Sequence, residues 1–393
     1  MGCCCRRRRK LLAGGPPSFF PELQPPGRTR GSMRTATCCW PPSCWWLPPW
    51  NGLRPWAPIT GATAPLMPPA LLMNSKNTPA CARKRALSVT ENSVIAPVAA
   101  RAVGLDLTLP AAPVREILER AFAEDAPGGD ITSQLLIPAG ARATAVLNAR
   151  VPGVFSGATV FRDAMQLVDP GTEVELLLAD GERFDAGTHL ARVSGRARSV
   201  LLAERVALNL VQRMSAIATT TAEFVQLAEG TRARITDTRK TTPGLRILER
   251  FAVRCGGGAN HRYSLSDAVL AKDNHLAVMT GGDPARLTEL LRAAKAQLGH
   301  TTHFEVEVDR MDQIEPVLAA GVDTIMLDNF TLDELRQGVA LVAGRARVEA
   351  SGNVNLNTVA GIAAAGVDVI SIGALTHTVA ALDLGLDVEL TAG

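Results

Sequence analysis

At 393 residues the chain has room for two or three domains with full hydrophobic cores, and its net charge of +3 conceals two unlike halves. Residues 1–104 hold 14 Lys and Arg against 2 Asp and Glu, whereas residues 105–393 hold 27 against 36. No run of apolar residues approaches 18, which excludes a helical membrane span, and Cys255 is the one cysteine of eight in the second half, which excludes a disulfide framework there and fits a reducing cytoplasm.

The first segment also takes 16 of the 25 prolines and all five tryptophans. Its runs, such as Cys3-Cys4-Cys5, Arg6 to Arg9 and Trp45-Trp46-Leu47-Pro48-Pro49-Trp50, carry no helical or strand period and read as biased, disordered chain. Arg6 stands where a myristoylation signal needs Ser or Thr, and Leu11-Leu12-Ala13 is too short for a secretory signal. The segment is Arg-rich and acid-poor like a transit peptide, but neither Ser-rich nor amphipathic. The expectation is a start-site artefact, with Met33 or Met73 as the true start, ahead of a basic nucleic-acid-binding tail.

From Val114 the apolar positions Val114, Ile117, Leu118, Ala121 and Phe122 recur at helical spacing and predict an amphipathic helix. Alternating stretches follow at Arg142 to Arg150, Glu173 to Leu178 and His189 to Ser194, separated by turns rich in Gly, Pro and Asp. They predict a small sheet-plus-helix domain over about 105–200, closed by a long helix from about Ser199 to Ala216.

The rhythm then changes. β-rich runs at Ala233 to Thr238, Ala268 to Lys272, Phe304 to Asp309, Thr324 to Asp328, Arg347 to Ala350 and Val369 to Ile372 alternate with helical stretches, among them Pro284 to Leu298 and Leu332 to Val342. This pattern predicts parallel βαβ units. Each run ends in polar or glycine residues, as expected of a β/α barrel whose chemistry sits at the C-terminal ends of its strands.

Between Arg232 and Lys272 nine basic residues face three acids, a segregation that suits a multiply charged anion. Surface solvation accounts equally for Arg232, Arg250 and Arg254. Arg239, Lys240, Arg262 and Lys272 sit at strand ends or in glycine-rich turns, where packing gives no reason for them. Glu305 and Glu307 share one strand face, and Asp328 points the same way from the next strand. Carboxylates converging on an anion site hold Mg²⁺ or sugar hydroxyls; for Glu305 a plain pairing with a buried Lys or Arg is the expectation. Ser351-Gly352-Asn353 and Gly373-Ala374 follow the last two strands, where barrels bind phosphate.

Several longer words are more specific: Glu204-Arg205-Val206-Ala207-Leu208-Asn209, Asp237-Thr238-Arg239-Lys240-Thr241-Thr242-Pro243-Gly244, Cys255-Gly256-Gly257-Gly258-Ala259-Asn260-His261-Arg262, and Lys272-Asp273-Asn274-His275. With Glu305-Val306-Glu307-Val308, Leu327-Asp328-Asn329, Glu349-Ala350-Ser351-Gly352 and Gly373-Ala374-Leu375-Thr376-His377, they resemble the quinolinate phosphoribosyltransferase family over 105–393. Ser264 departs from the family's frequent Gly.

The resemblance implies an α/β protein: an N-terminal α/β sandwich with linking helix over 105–215, then an incomplete, seven-stranded TIM-like β/α barrel over 216–393 whose tail returns to the first domain. It implies transfer of phosphoribosyl from phosphoribosyl pyrophosphate to quinolinate with decarboxylation, giving nicotinate mononucleotide for NAD biosynthesis. It further implies a homodimer with shared active sites, Arg205 coming from the neighbouring subunit, and no membrane or nucleic-acid partner. Arg239, Lys240, His261, Arg262 and Lys272 match residues that bind the pyridine dicarboxylate, and Thr238 is a further substrate-binding residue. Glu307 and Asp328 match those for Mg²⁺, through water or substrate, and for the ribose. Ser351, Gly352, Asn353, Ile372, Gly373 and Ala374 match the 5′-phosphate loops. Lys240, Glu307 and Asp328 are the expected catalytic groups. A pyrophosphorylase-like paralogue for another aromatic acid, and a Schiff-base aldolase with Lys240 or Lys272 as nucleophile, are the rival enzymes.

Overall fold

The computed structural model describes residues 108–391; the expectations for residues 1–104 lie outside the described residues. Helix α1 (Ala111–Asp125) buries Val114, Ile117 and Leu118, the stripe its period predicted. After α2 (Ile131–Leu136) come strands β1 (Arg142–Ala149) and β2 (Gly153–Val154), helix α3 (Ala158–Val168), and strands β3 (Glu173–Leu176), β4 (Arg183–Phe184) and β5 (His189–Arg196). Along β1, exposed and buried residues alternate almost without fault, as in an antiparallel sheet with one wet face.

Helix α4 (Ala197–Leu227) is 31 residues long and overruns the predicted end at Ala216. The run Thr219-Thr220-Thr221 disfavours a helix in isolation. Here Thr219 Oγ1 donates to the Ser215 carbonyl and Thr221 Oγ1 to that of Ile217, both at 2.7 Å, and burial of Ala216 to Ala218, Ala222 and Phe224 holds the helix on.

The barrel elements follow, alternating except for two successive helices between β7 and β8: β6 (Arg234–Thr236), α5 (Arg246–Cys255), β7 (Val269–Ala271), α6 (Asp273–Thr280), α7 (Leu287–Lys295), β8 (Phe304–Val308), α8 (Ile314–Ala319), β9 (Thr324–Asp328), α9 (Leu332–Val342), β10 (Arg347–Ser351), α10 (Val359–Ala364), β11 (Val369–Ser371) and α11 (Ala374–His377). The chain ends in β12 (Leu384–Thr391), which pairs antiparallel with β1 from Arg142↔Thr391 to Ala149↔Leu384. The first sheet therefore runs β12-β1-β5-β3, and the second, all parallel, runs β6-β11-β10-β9-β8-β7.

The second sheet has six strands among the described residues, not seven. Where a seventh would lie, one bridge joins Thr236 to Ala259, with the Ala259 amide donating to the Ile235 carbonyl at 2.8 Å. The glycines before it explain the shortfall. Gly257 takes φ +85°, and a Cβ on Gly258 would sit 2.8 Å from both Thr221 and Val253, so this segment is a turn pressed onto α4 rather than an extended strand. The barrel stays open between that turn and β7. No helix among the described residues is long and apolar enough to cross a membrane.

Candidate functional site

The strands of the parallel sheet are largely buried, and polar or charged residues lie within β8 and β10, at the end of β9 and just beyond the C-terminal ends of β6 and β7. At the end of β6, Asp237 is fully buried. It accepts hydrogen bonds from the His261 amide at 2.7 Å and Asn260 Nδ2 at 2.6 Å, with Arg250 Nη1 3.7 Å away. Burial lifts its carboxyl above the usual range, and Arg250 and the donors oppose that shift. Asp237 thus pins the loop carrying His261 and Arg262 to the strand carrying Thr238, Arg239 and Lys240. Arg250 is not a surface arginine: it is largely buried, and donates to the His261 carbonyl at 2.7 Å. Arg254 is exposed, and Arg232 pairs at the surface with Asp368.

Arg239 and Arg262 each bury Nε without a hydrogen-bond partner in the protein. Burial, then the charge of Arg239, depress the Arg262 pKa, the mark of two guanidiniums lying close together. Buried donors in a native fold are normally satisfied, so two unsatisfied ones on neighbouring cations are the chemistry that a planar anion could complete. Lys272, first residue after β7, pairs through Nζ with Glu307 of β8. Lys240 lies against the last loop: a Cβ at Gly373 would stand 2.9 Å from Lys240 Cδ and 3.2 Å from the His377 ring.

Asp328 ends β9 beside Ser351 at the end of β10, its register partner. Asn329, Gly352 and Asn353 all take the left-handed conformation, at φ +60°, +86° and +53°. Asn329 Nδ2 donates to Asp328 at 2.7 Å, and Asn353 Nδ2 to Asn329 Oδ1 at 3.0 Å. A side chain at Gly352 would strike the Asn329 amide nitrogen at 2.8 Å, so this close backbone approach requires glycine. The Asn329 amide donates to the Ser351 carbonyl at 2.9 Å, which fastens the turn after β9 to the end of β10. The Ile372 amide extends the β11–β6 ladder by donating to the Thr236 carbonyl at 3.0 Å, leaving Gly373 and Ala374 to open α11.

The structure therefore gathers all but one of the expected residues at one end of the barrel. Arg205 is the exception: it lies on α4, more than half exposed, 3.9 Å from Glu204. Glu305 also departs from expectation. It pairs with neither Lys nor Arg; its Oε2 lies 3.2 Å from His261 Nε2, with Glu349 Oε1 3.6 Å from the same nitrogen. Both carboxyls are buried and each keeps one unpartnered oxygen. Burial, reinforced by the Glu305 charge, pushes the Glu349 carboxyl up to about 8. Glu349 and Asp237 were legible only as members of longer words; their signal was charge at positions that the strand pattern buries.

His261, Glu305 and Glu349 bring three ligand-type atoms within 4.8 Å of one another. The Arg262 amide donates to His261 Nδ1 at 2.8 Å, which leaves the ring hydrogen on Nε2 facing the carboxylates. A histidine ligating a metal through one nitrogen donates a hydrogen from the other, and here the other accepts. The trio is a hydrogen-bonded network. Burial disfavours a charged ring and the carboxylates of Glu305 and Glu349 outweigh it, raising the His261 pKa; the amide at Nδ1 acts against that second proton.

This fold and site define a β/α-barrel protein built to hold an anion with several negative groups, cationic forks on one side and carboxylates on the other. Residues 130–215 match the N-terminal domain and residues 217–387 the C-terminal domain of quinolinate phosphoribosyl transferase, and the chain belongs to that family. It is 42% identical over 280 residues to the nicotinate-nucleotide pyrophosphorylase [carboxylating] of Mycobacterium leprae, covering 70% of this chain and 96% of the relative. Against the probable enzyme of that name from Bacillus subtilis it is 38% identical over 278 residues, 71% of this chain and 94% of the relative. A mitochondrial quinolinate phosphoribosyltransferase [decarboxylating] of Nicotiana glauca is 38% identical over 322 residues, 77% of this chain and 90% of the relative. Among solved structures, NadC from Streptococcus pyogenes superposes with a TM-score of 0.69 at 36% identity, covering 72% of this chain and 99% of that one.

Proposed function

We propose that this chain transfers the phosphoribosyl group of phosphoribosyl pyrophosphate to the ring nitrogen of quinolinate and releases pyrophosphate and CO₂, yielding nicotinate mononucleotide for NAD biosynthesis. The observation that carries the reading is the buried, unpartnered Nε of Arg239 and of Arg262, with Lys240 next to Arg239 in the chain and Lys272 just after β7. Two adjacent carboxylates on a flat ring match two forks, which fix the ring and aim its nitrogen at ribose C1. As pyrophosphate leaves, C1 takes on oxocarbenium character, and Glu307 and Asp328 at the ends of β8 and β9 stabilise it electrostatically. The turn after β10, at Ser351, Gly352 and Asn353, with the Ile372-Gly373-Ala374 loop, receives the 5′-phosphate. Once the nitrogen is ribosylated, the pyridinium ring withdraws the electron pair of the adjacent C–CO₂⁻ bond. CO₂ leaves and the ring carbon takes a proton. No lysine becomes covalently attached, which separates this reading from an aldolase.

Glu307 and Asp328 offer hard oxygen donors on neighbouring strands, a set that suits Mg²⁺ held largely through water or substrate oxygens. Bound there, the ion would neutralise the departing pyrophosphate. Lys272, now paired with Glu307, exchanges that partner for the substrate. Arg205, exposed on α4, completes a neighbouring subunit's site in a homodimer. Residues 105–215 and 216–393 are two domains, residues 1–104 are dispensable to them, and the enzyme works in the cytoplasm.

The test is direct: purified protein with Mg²⁺, quinolinate and phosphoribosyl pyrophosphate should form nicotinate mononucleotide and CO₂ in equal amounts. Nicotinate should be used about 10³-fold less well in kcat/KM, since it leaves buried cationic groups unpaired. Equal use of nicotinate would refute the substrate assignment.

A further inference from the structure

Next to Lys240 and the Gly373 loop lies a bracket of half-buried Arg213 with buried Glu249 and Thr376 that the reaction as described does not employ. Arg213 of α4 donates through Nε to Glu249 Oε1 at 2.7 Å, and through Nη2 to Thr242 Oγ1 at 2.9 Å and the Thr376 carbonyl at 2.7 Å. Glu249 of α5 is 1% exposed, and its second oxygen accepts from the Thr242 amide at 3.1 Å. Thr376, fully buried, closes the circuit by donating from Oγ1 to the Lys240 carbonyl at 2.6 Å. Four elements meet here: α4, the loop after β6, α5 and α11.

A buried ion pair is weak evidence for stability, because desolvation cancels most of its attraction. Its value lies in geometry, and this one is multiply constrained. One guanidinium fork fixes two loops at once, and a threonine hydroxyl ties the backbone of one to the side chain of the other. Lys240 is held against Gly373 so closely that no Cβ fits between them. A shift in either loop must move the other.

We propose that Arg213, Glu249 and Thr376 are positioning residues that couple the dicarboxylate subsite at Lys240 to the 5′-phosphate subsite at Gly373, so that each substrate organises the loop needed by its partner. The inference rests on the function proposed above. Coupling of this kind is a difference in affinity for one ligand with and without the other, and it is reciprocal.

Thr376→Val removes only the hydroxyl that reaches Lys240, and Thr376→Ser keeps it. Arg213→Lys keeps a positive charge beside Glu249 but loses the fork. In steady-state kinetics with Mg²⁺, Thr376→Val and Arg213→Lys should raise KM for quinolinate and for phosphoribosyl pyrophosphate together, each by about tenfold. Thr376→Ser should stay within about twofold of wild type. In equilibrium binding, the tightening of phosphoribosyl pyrophosphate by a non-reacting pyridine dicarboxylate should shrink at least about fivefold in Thr376→Val. A purely structural bracket would instead lower the melting temperature and the active fraction, leaving both KM values and the coupling intact, and that result overturns the proposal. Wild-type protein that makes no nicotinate mononucleotide would overturn the function itself, a failure seen before any variant is made.

Discussion

The two sheets of this molecule treat charge in opposite ways. Across the antiparallel sheet the ion pairs Arg192–Glu175 and Arg150–Asp387 are exposed, each more than half accessible on both sides. Such pairs contribute little, and the sheet is held by the residues alternating inward, Ala145, Leu147 and Ala149 among them. In the parallel sheet β8 and β9 are buried almost throughout, yet Glu305 within β8, Glu349 within β10 and Asp237 just after β6 are buried as well, and Arg239 and Arg262 each bury an unpartnered Nε. Charge that stability does not need, placed where desolvation is costly, marks where the protein does chemistry.

The largest effect that would sharpen this contrast is Lys272→Ala. It should lower kcat/KM for quinolinate about 10²-fold or more, with KM for phosphoribosyl pyrophosphate changed only a few-fold; equal losses for both would mean that Lys272 serves Glu307 rather than the acid. Next comes mixing of inactive Arg205→Ala with inactive Lys240→Ala. If each site draws on two subunits, random exchange restores about a quarter of wild-type activity, whereas no recovery after proven exchange places Arg205 outside the partner's site.

Leu147→Ala tests the other sheet. Truncating this fully buried side chain should cost about 2–5 kcal/mol and lower the melting temperature by roughly 5–15 °C, while kcat of the folded protein stays unchanged. A loss of kcat without loss of stability would break the division between the sheets.

Glu349→Gln probes buried charge through pH. Folded Glu349 holds its proton more tightly than the unfolded chain does, so its contribution to stability is full below the ordinary carboxylate range and is lost as pH rises to about 8. The variant, neutral throughout, should gain in melting temperature relative to wild type between pH 5 and pH 8.5; a constant difference would show that Glu349 ionises normally. The smallest effect belongs to Cys255→Ala. Burial pushes this thiol up to about 12, so no thiolate forms at neutral pH, and kcat should stay within about twofold.

The amino-acid sequence determined much of this by itself. Period-2 alternation located β1, and the spacing of Val114, Ile117 and Leu118 located α1, because local burial leaves a regular trace. The polar strand ends, from Lys240 to Gly373, announced the site before any coordinate, since apolar runs ending in charge have no packing rationale. Other features left no such trace. Helix α5 was hidden inside a run of arginines, and α4 continued through three threonines because buried carbonyls accepted their hydroxyls. The seventh strand shrank to a bridge at Ala259, because Gly258 presses against α4, a contact about forty residues away in the chain. Only the tertiary structure decided that Glu305 meets His261 rather than a lysine, that Thr376 reaches the Lys240 carbonyl across 136 positions, and that Arg213 joins Thr242 to Thr376. Those choices depend on which side chains share a low-dielectric interior, and the energies that set them exist only once the chain has closed around them.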